Sequence, residues 1–147
     1  MAISGYGRIY VEAGVTAQTL NATPGTFNKM TGFATDGIAS NATVANGTDN
    51  VTLTQAGGAN MPIHAHFSVS FTVGAAGLYR IALYQDGAVV AGSERRIKCA
   101  LTTDYTVSGH VITTATDGAA PVFEIRVASD QVSPAFTPSY ASFEVWH

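Results

Sequence analysis

The sequence predicts an all-β protein, an antiparallel β-sandwich or barrel of about eight to ten short strands. Three observations predict it. Ile63, Ala65, Phe67, Val69, Phe71 and Val73 alternate with His64, His66, Ser68, Ser70 and Thr72, a period of two that turns every apolar side chain to one sheet face. Asp86-Gly87 and Asp117-Gly118 fall between apolar runs, where a two-residue hairpin turn needs positive φ at both central positions. No window of helical length shows a 3.6-residue apolar period.

Taken in order, residues 1–7 read as an N-terminal arm and residues 8–147 as one domain. Arg8 to Glu12 forms a short strand with Ile9 and Val11 on one side, and Thr26 to Phe33 and Val51 to Thr54 read as further strands. Between them, Ala34 to Asn50 is rich in Gly, Asn, Thr and Ala with little to bury, which predicts a long surface loop. Ile63 to Val73 is the longest strand. Leu78 to Tyr84 follows, then Asp86-Gly87 and a return strand starting at Val89-Val90. Ile97, Cys99 and Leu101 are expected inward, with Arg96 and Lys98 outward. Tyr105, Val107 and Val111 alternate across Gly109, which is expected to mark a bulge. Phe123, Ile125 and Val127 make the next strand. Ala141, Phe143 and Val145 close the chain, with Ser142, Glu144 and Trp146 on the other side.

Composition narrows the function. In 147 residues, 46% are apolar, enough to exclude a disordered chain and to build a core without staples. Only 12% are charged, about half the usual share, and Ala, Gly, Thr and Ser take up the surface. A net charge of −3 and the lack of a basic stripe exclude nucleic acid as the main partner. No apolar stretch approaches the ~20 residues that span a bilayer, and the start Met-Ala-Ile-Ser lacks the pattern of a secretory signal. The expectation is no membrane partner and synthesis in a reducing cytoplasm. The Asn-x-Thr triplets at Asn21, Asn41, Asn46 and Asn50 then read as turn sequence.

Chemistry-bearing residues are sparse. His64 and His66 lie two apart on a strand's polar face, about 7 Å from each other. They read as a wetted strand face, or as part of a metal site if a further ligand came from another strand or a symmetry mate. His110 and His147 add no spacing that points to a site. Cys99 is alone, which excludes a disulfide framework, and its inward position makes it an inert thiol. Acidic residues are scattered singly, and neither a nucleophile elbow nor a phosphate loop is present. The expectation is a protein that is not an enzyme and uses no cofactor. Arg95, Arg96 and Lys98, beside Glu94, form the one charge cluster. It is either a solvated strand end or a contact for an acidic surface. Ile3 and Tyr6 in the arm, and Trp146 at the end, are the apolar candidates for partner contact.

Phe27-Asn28-Lys29-Met30, Phe71, Gly77-Leu78-Tyr79 and Ser139-Tyr140-Ala141-Ser142-Phe143 occur in an order that resembles the jelly-roll heads of the tumour-necrosis-factor and complement globular-head superfamily. In that family a Gly-x-Tyr opens a core strand and a Ser-x-Phe strand closes the chain. The resemblance covers roughly Thr26 to Trp146 and departs at Glu144, where the family usually has Gly. It implies an antiparallel jelly-roll β-sandwich that assembles as a homotrimer. A jelly roll of this size, rich in Ala, Gly and Thr, is similar to a bacteriophage capsid decoration (cement) protein. The implied partners are further copies of itself and the major capsid protein, on the outside of the virion. The alternative is a receptor- or glycan-binding head of a phage fibre, with Tyr105, Phe136 and Tyr140 as loop aromatics. A secreted ligand is disfavoured by the missing export pattern.

Overall fold

A computed structural model gives the fold over residues 5–11, 16–33, 35–45, 48–54, 62–115 and 119–147. Over these residues the chain forms thirteen strands and no α-helix. In chain order they are β1 (Tyr6–Val11), β2 (Gln18–Thr19), β3 (Asn28–Lys29), β4 (Thr35–Ser40), β5 (Ala42–Ala45), β6 (Asn50–Leu53) and β7 (Ile63–Val73). They continue as β8 (Gly77–Gln85), β9 (Ala88–Val89), β10 (Arg95–Cys99), β11 (Tyr105–Thr113), β12 (Val122–Ser129) and β13 (Ala135–Trp146).

Two antiparallel sheets result. The first runs β11-β7-β13-β1-β4, with β2 added against β13; the second runs β10-β8-β12-β6-β5, with β3 on β12 and β9 on β8. Every non-consecutive neighbour in these orders is a crossover between sheets, so one face of each strand is committed to a shared interior. The architecture is the expected jelly-roll sandwich.

The alternation in β7 is realised residue by residue, from Ile63 buried and His64 half-exposed to Val73. Facing it across the interior are Tyr79, Ile81, Leu83, Phe123, Ile125 and Val127, all fully buried. Aromatic rings knit the layers: Phe71 lies 4.7 Å from Phe136 and 6.4 Å from Tyr79, centroid to centroid. The buried Tyr79 hydroxyl donates to the Ala75 carbonyl at 2.9 Å, which removes the cost of an unpaired polar atom. Asp86 and Gly87 adopt φ of 51° and 82°, as the β8–β9 hairpin requires. The Asp117-Gly118 turn lies outside the described residues.

Several expectations are corrected. The stretch 34–50 is not one surface loop, because β4 and β5 lie within it. Both are outer strands held by backbone pairing to β1 and β6, and small side chains there leave no apolar period to read. Thr26 to Phe33 contributes only the two-residue β3, although Met30 and Phe33 are buried. The first strand begins two residues earlier than expected: β1 starts at Tyr6, so Tyr6 and Gly7 pair with Trp146 and Val145. Leu101 is 52% exposed, since β10 ends at Cys99 and the chain turns through Thr102 at φ 59°.

Gly109 marks no bulge, for β11 pairs with β7 without a register shift from Tyr105↔Phe71 to Thr113↔Ile63. The glycine is there because a Cβ would stand 2.7 Å from the Phe67 ring. The register shifts of the first sheet fall between Gly7 and Ile9 and between Pro138 and Tyr140. Pro138 has no N–H to offer the ladder, which suits it to an irregular position.

Candidate interaction surface

The inward faces of both sheets are used up by the core, so the two outer faces are what the molecule can offer. They differ in what covers them.

The outer face of the second sheet is occupied by paired charges and aromatic rings. From β3, which pairs along β12, Phe27 reaches over it, with the Arg80 guanidinium 4.9 Å from the Phe27 ring centre and donating to the Gly25 carbonyl at 2.6 Å. Arg126 sits 4.3 Å over Tyr84, whose ring is 5.6 Å from Phe27. Glu124 is 8% exposed and is neutralised by Lys29 at 3.1 Å and by Arg126, whose Nε donates at 2.6 Å. A buried carboxylate needs such partners.

The outer face of the first sheet is different. Register places its side chains in rows. One row runs Ile112, His64, Trp146, Tyr6; the next runs His110, His66, Glu144, Arg8; the third runs Ser108, Ser68, Ser142, Tyr10. Ser70 and Thr106 share a hydrogen bond at 2.8 Å in the row beyond. Charge is scarce on it. Arg8 Nε stands 3.2 Å from Glu144 Oε1, an ion pair whose N–H misses hydrogen-bond alignment, and Arg8 also lies 5.3 Å from the Tyr10 ring centre. Glu144, the departure from the family pattern, thus finds its partner on β1. Burial, and secondly the Glu144 charge, raise the Tyr6 hydroxyl above its ordinary pKa. At one end Ile112 is 58% exposed, and at the other Ile38 is 79% and Tyr140 42% exposed. Val89, Leu101 and Val132 are exposed elsewhere, so among the described residues this face holds three of the six exposed large apolar side chains.

Two features stand on this face. Trp146, His64 and His110 gather with nearly parallel rings, 5.3–5.9 Å between centroids. His64 Nδ1 lies 3.2 Å from His110 Nε2. A shallow cleft of about 470 Å³ is lined by Tyr6, Arg8, Tyr10, Asp36, Ile38 and Tyr140.

The candidate residues from the sequence therefore do not form one site. Tyr6 and Trp146 are opposite each other on the first sheet. Arg95, Arg96 and Lys98 lie on β10, an outer strand of the second sheet. Arg95 donates to the carbonyls of Gly92 and Glu94 at 2.8 and 3.1 Å, and Arg96 pairs with Glu94 at 2.6 Å. Lys98 is exposed. Ile3 lies outside the described residues. Of the loop aromatics, Phe136 is fully buried and cannot touch a glycan. Tyr105 is half-buried, with its oxygen accepting from the Ala100 N–H at 2.6 Å. Cys99 is buried, and burial pushes its thiol up to about 11, so it is protonated at neutral pH. Among the described residues no three His, Cys, Asp or Glu side chains converge as a metal site, and no helix is long and apolar enough to cross a membrane.

The His64–His110 contact and the cleft are invisible in the sequence. Spacing along one strand shows His64 and His66, but only the β7–β11 register brings His110 alongside.

No protein-family model matches the chain, and no curated protein matches its sequence. Solved structures do match. The globular domain of zebrafish complement 1qA is 14% identical with a TM-score of 0.60, covering 97% of this chain and 96% of that one. Murine APRIL is 6% identical with a TM-score of 0.57, covering 97% and 99%. A second murine APRIL structure, at 8% identity, has a TM-score of 0.52 over the same shares. The chain has the jelly-roll fold of the tumour-necrosis-factor and C1q type. At these identities the likeness is one of fold, and function has to come from the surface.

Proposed function

We propose that this chain is a structural interaction protein: a homotrimer that decorates an assembled bacteriophage capsid by binding the major capsid protein from outside. One observation carries the reading. Of the two outer sheet faces, one carries an ion-paired set of Lys29, Arg80, Glu124 and Arg126, and the other presents Trp146, Tyr6, Ile112, Ile38 and Tyr140 among serines and imidazoles with few charges. A face so poor in charge and so rich in aromatics suits association. The mechanism is area and symmetry rather than turnover: a trimer presents three equal contacts, and multivalency multiplies a modest affinity per copy. The reading includes no catalytic step, nucleic acid or cofactor.

Native mass measurement and co-sedimentation with undecorated capsids test the two halves separately. The expected results are a trimer, and attachment at micromolar protein. Ile112→Asp, at a 58% exposed position of the face, is expected to shift the mass to monomer, whereas Arg96→Glu on the other sheet leaves it a trimer. A monomeric wild-type chain overturns the self-association, and a trimer that stays in the supernatant overturns the capsid role. Deleting residues 1–4, which precede β1, is expected to leave the trimer intact and to weaken capsid attachment if the arm is a tether; unchanged capsid occupancy would remove that role.

The cleft favours a second reading, a glycan-binding head. Three tyrosines with Arg8 and Asp36 offer ring faces for the apolar side of a sugar and polar groups for its hydroxyls. Glycan-array binding by the isolated chain that is lost in Tyr140→Ala would favour it over the decoration role.

A further inference from the structure

We propose that His64 and His110 form a two-imidazole seat for a borderline divalent transition cation such as Zn2+, Ni2+ or Cu2+. The bite distance carries the inference. With metal–nitrogen bonds of about 2.0–2.1 Å, two ligand nitrogens stand about 3.3–3.4 Å apart at a tetrahedral angle and about 2.9 Å apart at a right angle. His64 Nδ1 and His110 Nε2 are 3.2 Å apart, between those values. The two rings lie within 17° of parallel. In the metal-free pair one nitrogen carries the proton and the other accepts it; a cation bound to both sits to one side of the line between them, so each ring turns slightly to aim its lone pair at it, and the bridging proton moves to the ring's other nitrogen or to solvent.

The surroundings admit a cation. In the single chain the pair is solvent-exposed, so a cation reaches it before any copy docks on the face. The ionisable groups facing it are His66 on the same strand, opposite His110, and Glu144 on β13, which Arg8 engages. Ile112 and Trp146 flank His64 in its own row and carry no charge. Imidazole selects Zn2+, Ni2+ and Cu2+ over the oxygen-seeking Mg2+ and Ca2+. Two protein ligands leave the outward coordination positions to water or to a donor from a docked surface. The seat stands whether or not the face binds a capsid.

Trp146 is the single tryptophan, with its ring centre 5.4 Å from His64 and 5.9 Å from His110, so it reports occupancy by fluorescence. The full chain, free of any affinity tag, is titrated with CuCl2 and NiCl2 in a non-chelating buffer, with ZnCl2 followed by calorimetry. Expected are saturable quenching with a micromolar midpoint, one cation per chain, recovery with EDTA, weaker binding in acid as protons compete, and no response to MgCl2. His64→Gln and His110→Gln, both surface changes, are each expected to weaken binding at least about tenfold, as loss of one of two ligands should. His66→Gln and His147→Gln are expected to leave it within about threefold, since neither supplies a ligand. Unsaturable quenching, equal affinity in His64→Gln and His110→Gln as in wild type, or loss confined to His66→Gln overturns the assignment.

Discussion

Replacing Ser93 by Ala removes one oxygen from a side chain that is fully buried. Its hydroxyl stands in for a missing strand neighbour. Beside Leu83, β9 has ended and β10 has not yet begun: Tyr84 pairs with Val89, and Ile81 pairs with Arg95. In that gap Ser93 Oγ accepts from the Leu83 N–H at 3.1 Å and donates to the Leu83 carbonyl at 3.2 Å. The two halves of the exchange are not equal. The carbonyl also accepts from Val90 N–H at 2.9 Å, so it stays satisfied in the variant, whereas no other protein group serves the N–H. One orphaned buried donor costs about 1–3 kcal/mol, and the space left by a hydroxyl is too small for a replacement water. The expected loss is about 2 kcal/mol. With a urea m-value of about 2 kcal/mol/M for a chain of this size, the midpoint falls by about 1 M. The assay is equilibrium urea unfolding followed by far-ultraviolet circular dichroism, with Ser70→Ala as the control. Ser70 bonds Thr106 on the exposed face, where such a change is worth at most about 0.5 kcal/mol. Equal midpoints for the two variants would refute the reasoning.

Gly109→Ala should lose about 1–3 kcal/mol in the same assay, because the new Cβ meets the Phe67 ring at 2.7 Å; an unchanged midpoint would mean that the ring yields freely. Cys99 should react slowly with a disulfide reagent at pH 8, where a thiol of pKa about 11 is ionised in roughly one molecule in a thousand. Raising the pH or adding urea should accelerate that reaction, and a fast stoichiometric phase from folded protein would contradict the burial.

What could be read ahead of the structure was whatever an apolar period records. β7, β8, β12 and the end of β13 each place apolar side chains at alternate positions facing the core, so Ile63 to Val73 and Ala141 to Trp146 announced themselves. β4 and β5 did not, since Thr, Asp, Gly, Ala and Ser pair through the backbone without burying much. Leu101 failed for the related reason that alternation cannot tell where a strand stops. Gly109 was seen but misread, because a bulge and a close ring contact leave the same gap in a sequence. The surface was less legible than the core. His110 belongs beside His64 only through a register that joins residues 46 positions apart, and the contacts of Phe27 and Lys29 on the second sheet depend on Arg80 and Glu124 far along the chain.

The first and last strands run side by side in opposite directions, with Tyr6 opposite Trp146 and the His147 N–H donating to the Gly5 carbonyl at 3.1 Å. Anything fused before Gly5 or after His147 therefore leaves from the same corner of the sandwich. A short bridge between those points would allow the chain to be reopened elsewhere with its sheets intact. Tension applied at that corner would peel β1 from β13 rung by rung, a low-force way to begin dismantling an otherwise interlocked sandwich.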